Sequence, residues 1–263
     1  MKRIFFVDID GTIINCSKGL IVPSENTIKA FRKIRENGDY IFIASGRAKC
    51  LLPESVVELK PSGYVLANGA YAEVNDGILF MDSMSLEAKN KIIDFANRRE
   101  GAYYLETVDA IYTRDLSLQV HKDYAEAWNV LDCYKDEGYS DNLDINIAML
   151  AFDKDYKEEM YQELSPFVDV NPHNGTYSGD LNIKGVNKGT AVKRVCEMLN
   201  IDLNNSYAFG DGINDIEMMM AVKHSVAMNN ACDELKNIAS EVTDDVLEDG
   251  FYNYLIKNNI ISE

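Results

Sequence analysis

The sequence predicts an α/β fold: a mostly parallel sheet flanked by helices, split by an inserted α/β domain. Short apolar runs alternate with amphipathic segments of helical spacing at both ends of the chain, which is the signature of βα units. That pattern breaks after Met81 and resumes at Gly185. The 263 residues suffice for two ordinary domains, each with its own core.

The apolar, β-rich stretch Arg3 to Ile9 reads as a buried strand. Ser24 to Asn37 reads as a helix, with Ser24 at the N-cap and Gly38 at the stop. Tyr40 to Ala44 is a second buried strand. Ala48 to Leu59 is helical but disturbed at Pro53. Tyr64 to Ala67 is a third strand, ending at Asn68-Gly69, and Asn75-Asp76-Gly77 joins two short apolar runs as a hairpin. In the inserted block, Ser85 to Arg99 is a helix with apolar spacing at Leu86, Ile92, Ile93 and Ala96. Strand-like stretches follow at Ala102 to Glu106, Ala110 to Arg114 and Asp144 to Phe152, and helices near His121 to Tyr134 and Asp155 to Leu164. The block holds most of the tyrosines and the one tryptophan, Trp128. After Gly185 the expected order is helix Lys188 to Leu199, strand Ser206 to Phe209 and helix Ile213 to Ala221. Strand His224 to Met228, helix Ala231 to Ala239 and helix Phe251 to Asn258 follow. The expected domains are a split core, 1–81 with 185–263, and an insert, 82–184.

Composition narrows the function classes. Hydrophobic residues make up 46% and charged residues 26%, the balance of a soluble globular protein. The net charge is -17, from 43 acidic against 26 basic residues, with no basic stripe. Such a surface repels nucleic acid and anionic lipid. Any phosphate must be drawn in by a few cations in one pocket, so the expected partner is a small molecule. The five cysteines are odd in number and widely spaced, which argues against a disulfide framework and a zinc site. Asp8 cuts the first apolar run far short of a signal-peptide core, and no apolar stretch approaches the ~20 residues of a membrane span. A cytoplasmic protein is expected, as monomer or homodimer.

Chemistry concentrates at four places. Asp8-Ile9-Asp10-Gly11-Thr12 directly follows the first strand, and ligands of open parallel sheets bind at carboxyl strand ends. Of two carboxylates there, one can act as nucleophile while the other handles protons. An EF-hand is excluded, since loop position six would be Ile13 rather than glycine. Ser45-Gly46-Arg47 follows the second strand, where a hydroxyl and free N–H groups at a helix start make a phosphate cradle. Lys188, in Gly185-Val186-Asn187-Lys188-Gly189-Thr190, opens a helix whose dipole disfavours a cation, a penalty that a bound phosphate reverses. A P-loop cannot be laid over it. Gly210-Asp211-Gly212-Ile213-Asn214-Asp215 sets two carboxylates and an amide at a strand end. Its third glycine would fall at Asp215, so it is no dinucleotide fingerprint. Hard oxygen ligands of this kind suit Mg²⁺. A phosphate dianion at ~4 Å from Asp8 meets about 4 kcal/mol of repulsion per unit pair at an effective dielectric of ~20. Asp10, Asp211 and Asp215 add to it, and a divalent cation with Lys188 offsets it.

In order, DIDGT, SGR, the lysine of GVNKGT, and GDGIND resemble the four motifs of the haloacid dehalogenase superfamily of phosphohydrolases. The position and size of the insert resemble the Cof-like branch with a type IIB α/β cap. Ser45 departs from the commoner threonine but supplies the same hydroxyl. The resemblance implies a Rossmann-like core and a Mg²⁺-dependent phosphatase of small phosphorylated metabolites, sugar phosphates foremost. It implies that Asp8 attacks phosphorus and that Asp10 protonates the leaving oxygen, then deprotonates the hydrolytic water. Mg²⁺ would sit on the Asp8 carboxylate, the Asp10 backbone carbonyl and Asp211, with Asp215 behind them orienting Lys188. Ser45, the Gly46 N–H, Lys188 and Asn214 would hold phosphoryl oxygens, and Asn68-Gly69 would shape the pocket floor. Arg47 fits the pattern without an assigned role.

Two other readings use the same residues: a phosphoryl transferase such as a phosphosugar mutase, and a non-catalytic phosphometabolite sensor. The Asp8 and Asp10 pair argues against the sensor, because binding alone needs neither. His121, His173 and His224 share no metal-ligand spacing, and Met218-Met219-Met220 reads as core filling.

Overall fold

The computed structural model describes residues 2–113, 133–135, 141–173 and 175–262. The chain divides into two compact units, the first formed by Met1–Gly46, Leu52–Phe80 and Asn187–Glu263, the second by Arg47–Leu51 and Met81–Val186.

The first unit is built on strands β1 (Ile4–Val7), β2 (Tyr40–Ala44), β3 (Gly63–Leu66), β4 (Tyr71–Val74), β5 (Gly77–Met81), β12 (Ser206–Gly210), β13 (His224–Ala227) and β14 (Glu241–Val242). They form one sheet in the order β14-β13-β12-β1-β2-β3-β4-β5. Pairing is parallel from β14 through β3 and antiparallel between β3 and β4. β1 and β2 are apolar on both faces, IFFV and YIFIA, as a sheet covered by helices on both sides requires. The helices are α1 (Glu25–Glu36), α2 (Glu54–Val57), α5 (Lys188–Met198), α6 (Ile216–Ala221), α7 (Asp233–Ile238) and α8 (Gly250–Lys257). Ser24 caps α1 by accepting the Thr27 N–H at 3.0 Å, and Asn187 caps α5 by accepting the Thr190 N–H at 2.8 Å. Because β1 lies between β12 and β2, the carboxyl ends of β12, β1, β2 and β3 share one edge. The strand order reverses between β1 and β12, where such sheets open a crevice.

The second unit carries α3 (Leu86–Arg98), α4 (Lys157–Leu164) and a sheet of order β10-β11-β9-β6-β7-β8. Its strands are β6 (Ala102–Glu106), β7 (Ile111–Tyr112), β8 (Tyr134–Lys135), β9 (Ile147–Ala151), β10 (Val168–Pro172) and β11 (Ser178–Ile183). One face of this sheet, with Leu105, Ala148, Leu150 and Leu181, packs with Ile92 and Phe95 of α3 and Met160 of α4. The other sets Tyr104, Ile111, Tyr134 and Met149 against Ala48 and Leu51.

Several expected boundaries move for physical reasons. Instead of one disturbed helix over 48–59, a 3₁₀ turn at Lys49–Leu51 and the single-turn α2 lie either side of Pro53, which has no N–H to continue a ladder. Ile213–Asp215 is a 3₁₀ turn and α6 starts only at Ile216. Met218 and Met219 are core, but Met220 is 74% exposed. The β10–β11 hairpin was not expected, because Asp169, Asn171, Asp180 and Asn182 are poor strand formers. The expected helix near His121 to Tyr134, with Trp128, lies outside the described residues except at Cys133 and Tyr134, and Tyr134 opens β8. Arg47–Leu51, expected in the core, groups with the second unit: the Cys50 N–H donates to the Val108 carbonyl at 3.0 Å, and Cys133 Sγ to the Cys50 carbonyl at 2.8 Å.

Glu106 ends β6 buried at 6% exposure. Burial, then nearby Asp180, push its carboxyl up to about 8, against the pull of the Ala48 N–H and Arg47. An acid whose folded pKa is raised binds its proton more tightly folded than unfolded. Its charged form therefore costs stability, increasingly as pH rises from the unfolded value near 4.5 to about 8. Glu106→Gln keeps the acceptor and removes that titration. It should melt above wild type at pH 9, by at most ~1.4 kcal/mol per pH unit of that window, with the gap closing by pH 5 in thermal melts.

Candidate active site

The first strand ends where its register with β12 ends: the Asp8 N–H donates to the Phe209 carbonyl at 3.0 Å. Beyond it the chain coils tightly, with the N–H groups of Thr12, Ile13 and Ile14 converging on the Ile9 carbonyl. Gly11 adopts φ +81, and an added Cβ would overlap the Asp211 carboxylate lying over it. The loop after β1 and the loop after β12 are thus in direct contact.

Lys188 is fully buried and joins both loops. Its Nζ donates to Asp8 Oδ1 at 2.6 Å and Asp215 Oδ1 at 2.7 Å. The other oxygen of Asp215 accepts the N–H groups of Asp211 and Gly212, each at 3.0 Å. Asp215, also fully buried, therefore spends its oxygens on Lys188 and the backbone of its own loop. Ser45 follows β2 at 2% exposure, with its N–H on the Val65 carbonyl of β3. The Asn68 N–H donates to the Ser45 carbonyl at 3.2 Å, and Asn214 Nδ2 donates to Asn68 Oδ1 at 3.2 Å. Gly46 lies beside the Asn68 amide. Arg47 belongs to the second unit, where it donates to the Leu51 carbonyl at 3.1 Å.

The electrostatics are lopsided. Burial pushes the Asp8 carboxyl well above the usual range; Lys188 pulls it back; Asp215, Asp211 and Asp10 push it up again. Burial, then Asp215, raise Asp211 to about 7 despite Lys188. Lys188 would be lowered by burial, but Asp215 and Asp8 more than reverse this and keep it cationic. One lysine thus faces the carboxylates of Asp8 and Asp215, with Asp211 close by. Ligand oxygens of Asp8, Asp211 and Asp215 lie within 4.8 Å of one another. With Asp215 occupied, Asp8 and Asp211 remain as hard oxygen donors, a sparse set that fits Mg²⁺.

The sequence model of a family described as haloacid dehalogenase-like hydrolase matches residues 5–255. The chain belongs to this family. It is 30% identical over 252 residues to YkrA of Bacillus subtilis, covering 95% of each chain. It is 26% identical to the same organism's 5-amino-6-(5-phospho-D-ribitylamino)uracil phosphatase YcsE, covering 94% of this chain and 92% of that one. A crystal structure from Geobacillus kaustophilus superposes with TM-score 0.87 at 28% identity, covering 99% and 100% of the two chains. The fold is also that of the subclass IIB sugar phosphatase BT4131, with TM-score 0.83 at 24% identity over 99% and 100% of the chains.

One residue of this hydrolase's site escapes sequence reasoning. Asn230 Nδ2 donates to the Gly11 carbonyl at 2.7 Å and reaches Asp211 Oδ2 at 3.5 Å, while its Oδ1 accepts the Val246 N–H at 3.0 Å. Its place just past the end of β13, on the same sheet edge, was the available signal. The Gly11 contact yields a prediction for the hydrolase. Gly11→Ala adds about 1–2 kcal/mol of left-handed backbone strain and pushes Asp211 aside. It should lower the melting temperature, which a thermal melt beside wild type checks.

Proposed function

We propose that this hydrolase is a Mg²⁺-dependent phosphatase that cleaves small phosphorylated metabolites, sugar phosphates foremost, through an aspartyl-phosphate on Asp8. It is a phosphoric monoester hydrolase. The observation that carries the reading is Lys188 Nζ, buried and held 2.6 Å from Asp8 Oδ1 and 2.7 Å from Asp215 Oδ1. A cation fixed there favours the ionised form of Asp8 against burial and the neighbouring acids and leaves its second oxygen for attack. The related phosphatases YcsE and YwpJ support the reaction class.

In the reaction an Asp8 oxygen attacks phosphorus and the bond to the ester oxygen breaks. Asp10 gives its proton to that leaving oxygen. Asp10 then takes a proton from the water that attacks the acyl-phosphate, so inorganic phosphate leaves and Asp8 is restored. Ser45 Oγ, the Gly46 N–H, Lys188 and the Asn214 amide hold the phosphoryl oxygens. The Asp8 carboxylate, the Asp10 carbonyl and Asp211 would hold Mg²⁺, and Asp215 keeps Lys188 and the 211–212 backbone in place. The bound ion supplies positive charge that offsets repulsion between carboxylates and phosphate. A net charge of -17 suits a small substrate rather than nucleic acid. Five free cysteines suit the cytoplasm, and no helix among the described residues is long and apolar enough to cross a membrane.

The test is p-nitrophenyl phosphate with Mg²⁺. Phosphate should be released without an acceptor, which a transferase would need, and chelation by EDTA should stop release. A protein inert towards this ester and towards a panel of phosphometabolites would refute the proposal. Ranking the panel by kcat/KM names the substrate.

A further inference from the structure

After β3 the backbone takes successive left-handed steps, with φ +51 at Ala67, +49 at Asn68 and +102 at Gly69. Glycine adopts such angles freely and asparagine tolerates them, but alanine does so only under constraint. Strained backbone of this kind persists where its surroundings over-determine it, and it gathers at functional sites. Here the turn delivers a buried primary amide, Asn68 at 5% exposure, to the edge where β1, β2 and β12 end. Its Oδ1 accepts from Asn214 Nδ2 at 3.2 Å, and its N–H donates to the Ser45 carbonyl at 3.2 Å. It also occupies the space over Gly46, where an added Cβ would come within 2.9 Å of Oδ1. Asn68 thus touches Ser45, Gly46 and Asn214 together.

We infer that Asn68 is a positioning residue: it aims the Asn214 amide and fixes Ser45 and Gly46, so that the phosphoryl-oxygen cradle is preformed. This rests on the phosphatase reading, which gives Ser45, Gly46 and Asn214 their part. Without the Asn68 carbonyl, the Asn214 amide, itself on the exposed face of its turn, loses its orientation. The cradle must then be ordered at the expense of phosphate affinity.

Asn68→Gly separates this role from plain turn formation, since glycine suits the left-handed turn and the variant should fold with a near-wild-type melting temperature. Binding of inorganic phosphate in Mg²⁺, measured by calorimetry without turnover, should weaken about tenfold, the worth of one well-placed hydrogen bond. With p-nitrophenyl phosphate, KM should rise in step while kcat changes less than about threefold. Ala67→Gly relieves the same turn without touching a polar group and should bind phosphate as wild type does. Phosphate affinity of Asn68→Gly within about twofold of wild type overturns the inference. A wild-type protein that binds phosphate but turns over no ester refutes the phosphatase reading and leaves this comparison standing; one that binds no phosphate refutes both.

Discussion

Asp8→Asn is expected to cut phosphatase turnover by about 10⁴-fold or more, because an amide oxygen cannot accept the phosphoryl group. The protein should remain folded. The amide still offers an acceptor to Lys188 Nζ, and Asp215 still neutralises that ammonium. Burial and the neighbouring carboxylates hold the Asp8 carboxyl well above its ordinary range. Linkage fixes the sign. A folded-state acid with a raised pKa costs stability once pH passes its unfolded value, and a neutral amide escapes that cost. Metal-free Asp8→Asn should therefore melt at or above wild type near pH 8, with the advantage fading below pH 4. Residual turnover near wild type would refute the covalent role. A melt well below wild type at pH 8 would refute this account of the burial.

Lys188→Met is expected to lose both activity and stability. The variant leaves Asp8 and Asp215 buried without their shared cation. Removing one partner of a buried ion pair costs about 3–5 kcal/mol. Of the groups acting on Asp8, Lys188 is the one that favours its ionised form; burial and the other three carboxylates oppose it. Without it, burial and the neighbouring acids favour the protonated form of Asp8, which is a poorer nucleophile for the proposed reaction. Turnover should fall about 10²–10³-fold, the scale seen when one electrostatic contact at a reacting centre is deleted. Lys188→Arg retains the charge but cannot place a compact ammonium between two carboxylates, so it should recover stability more than rate. Steady-state kinetics and chemical denaturation of both variants test this. Equal stability of Lys188→Met and wild type would contradict the buried-pair argument.

Much of this was legible in the sequence because parallel strands announce themselves. The runs IFFV and YIFIA are apolar throughout, and the first leads into an acid, Asp8, the second into a hydroxyl, Ser45. Sheet topology then sets those ends side by side, so position along the chain translated into proximity. Asn230 was not legible, since an asparagine in Met228-Asn229-Asn230-Ala231 looks like any turn residue until its amide is found on Gly11. Asn68 was read only as lining, because left-handed backbone at Ala67 and Asn68 leaves no mark in composition. The β10–β11 hairpin hid behind aspartates and asparagines at alternate positions, and the 47–51 segment behind Pro53.

That segment bears on protein engineering. The chain passes between the two units at 46/47, 51/52, 80/81 and 186/187, twice as often as a simple cassette would. A chimera that exchanges only 81–186 with a relative would leave Ala48 and Leu51 facing a foreign sheet instead of Tyr104, Ile111 and Met149. Transplants meant to recruit new specificity should carry Arg47–Leu51 along with the donor insert. Those that do should express as soluble protein more often than those that do not.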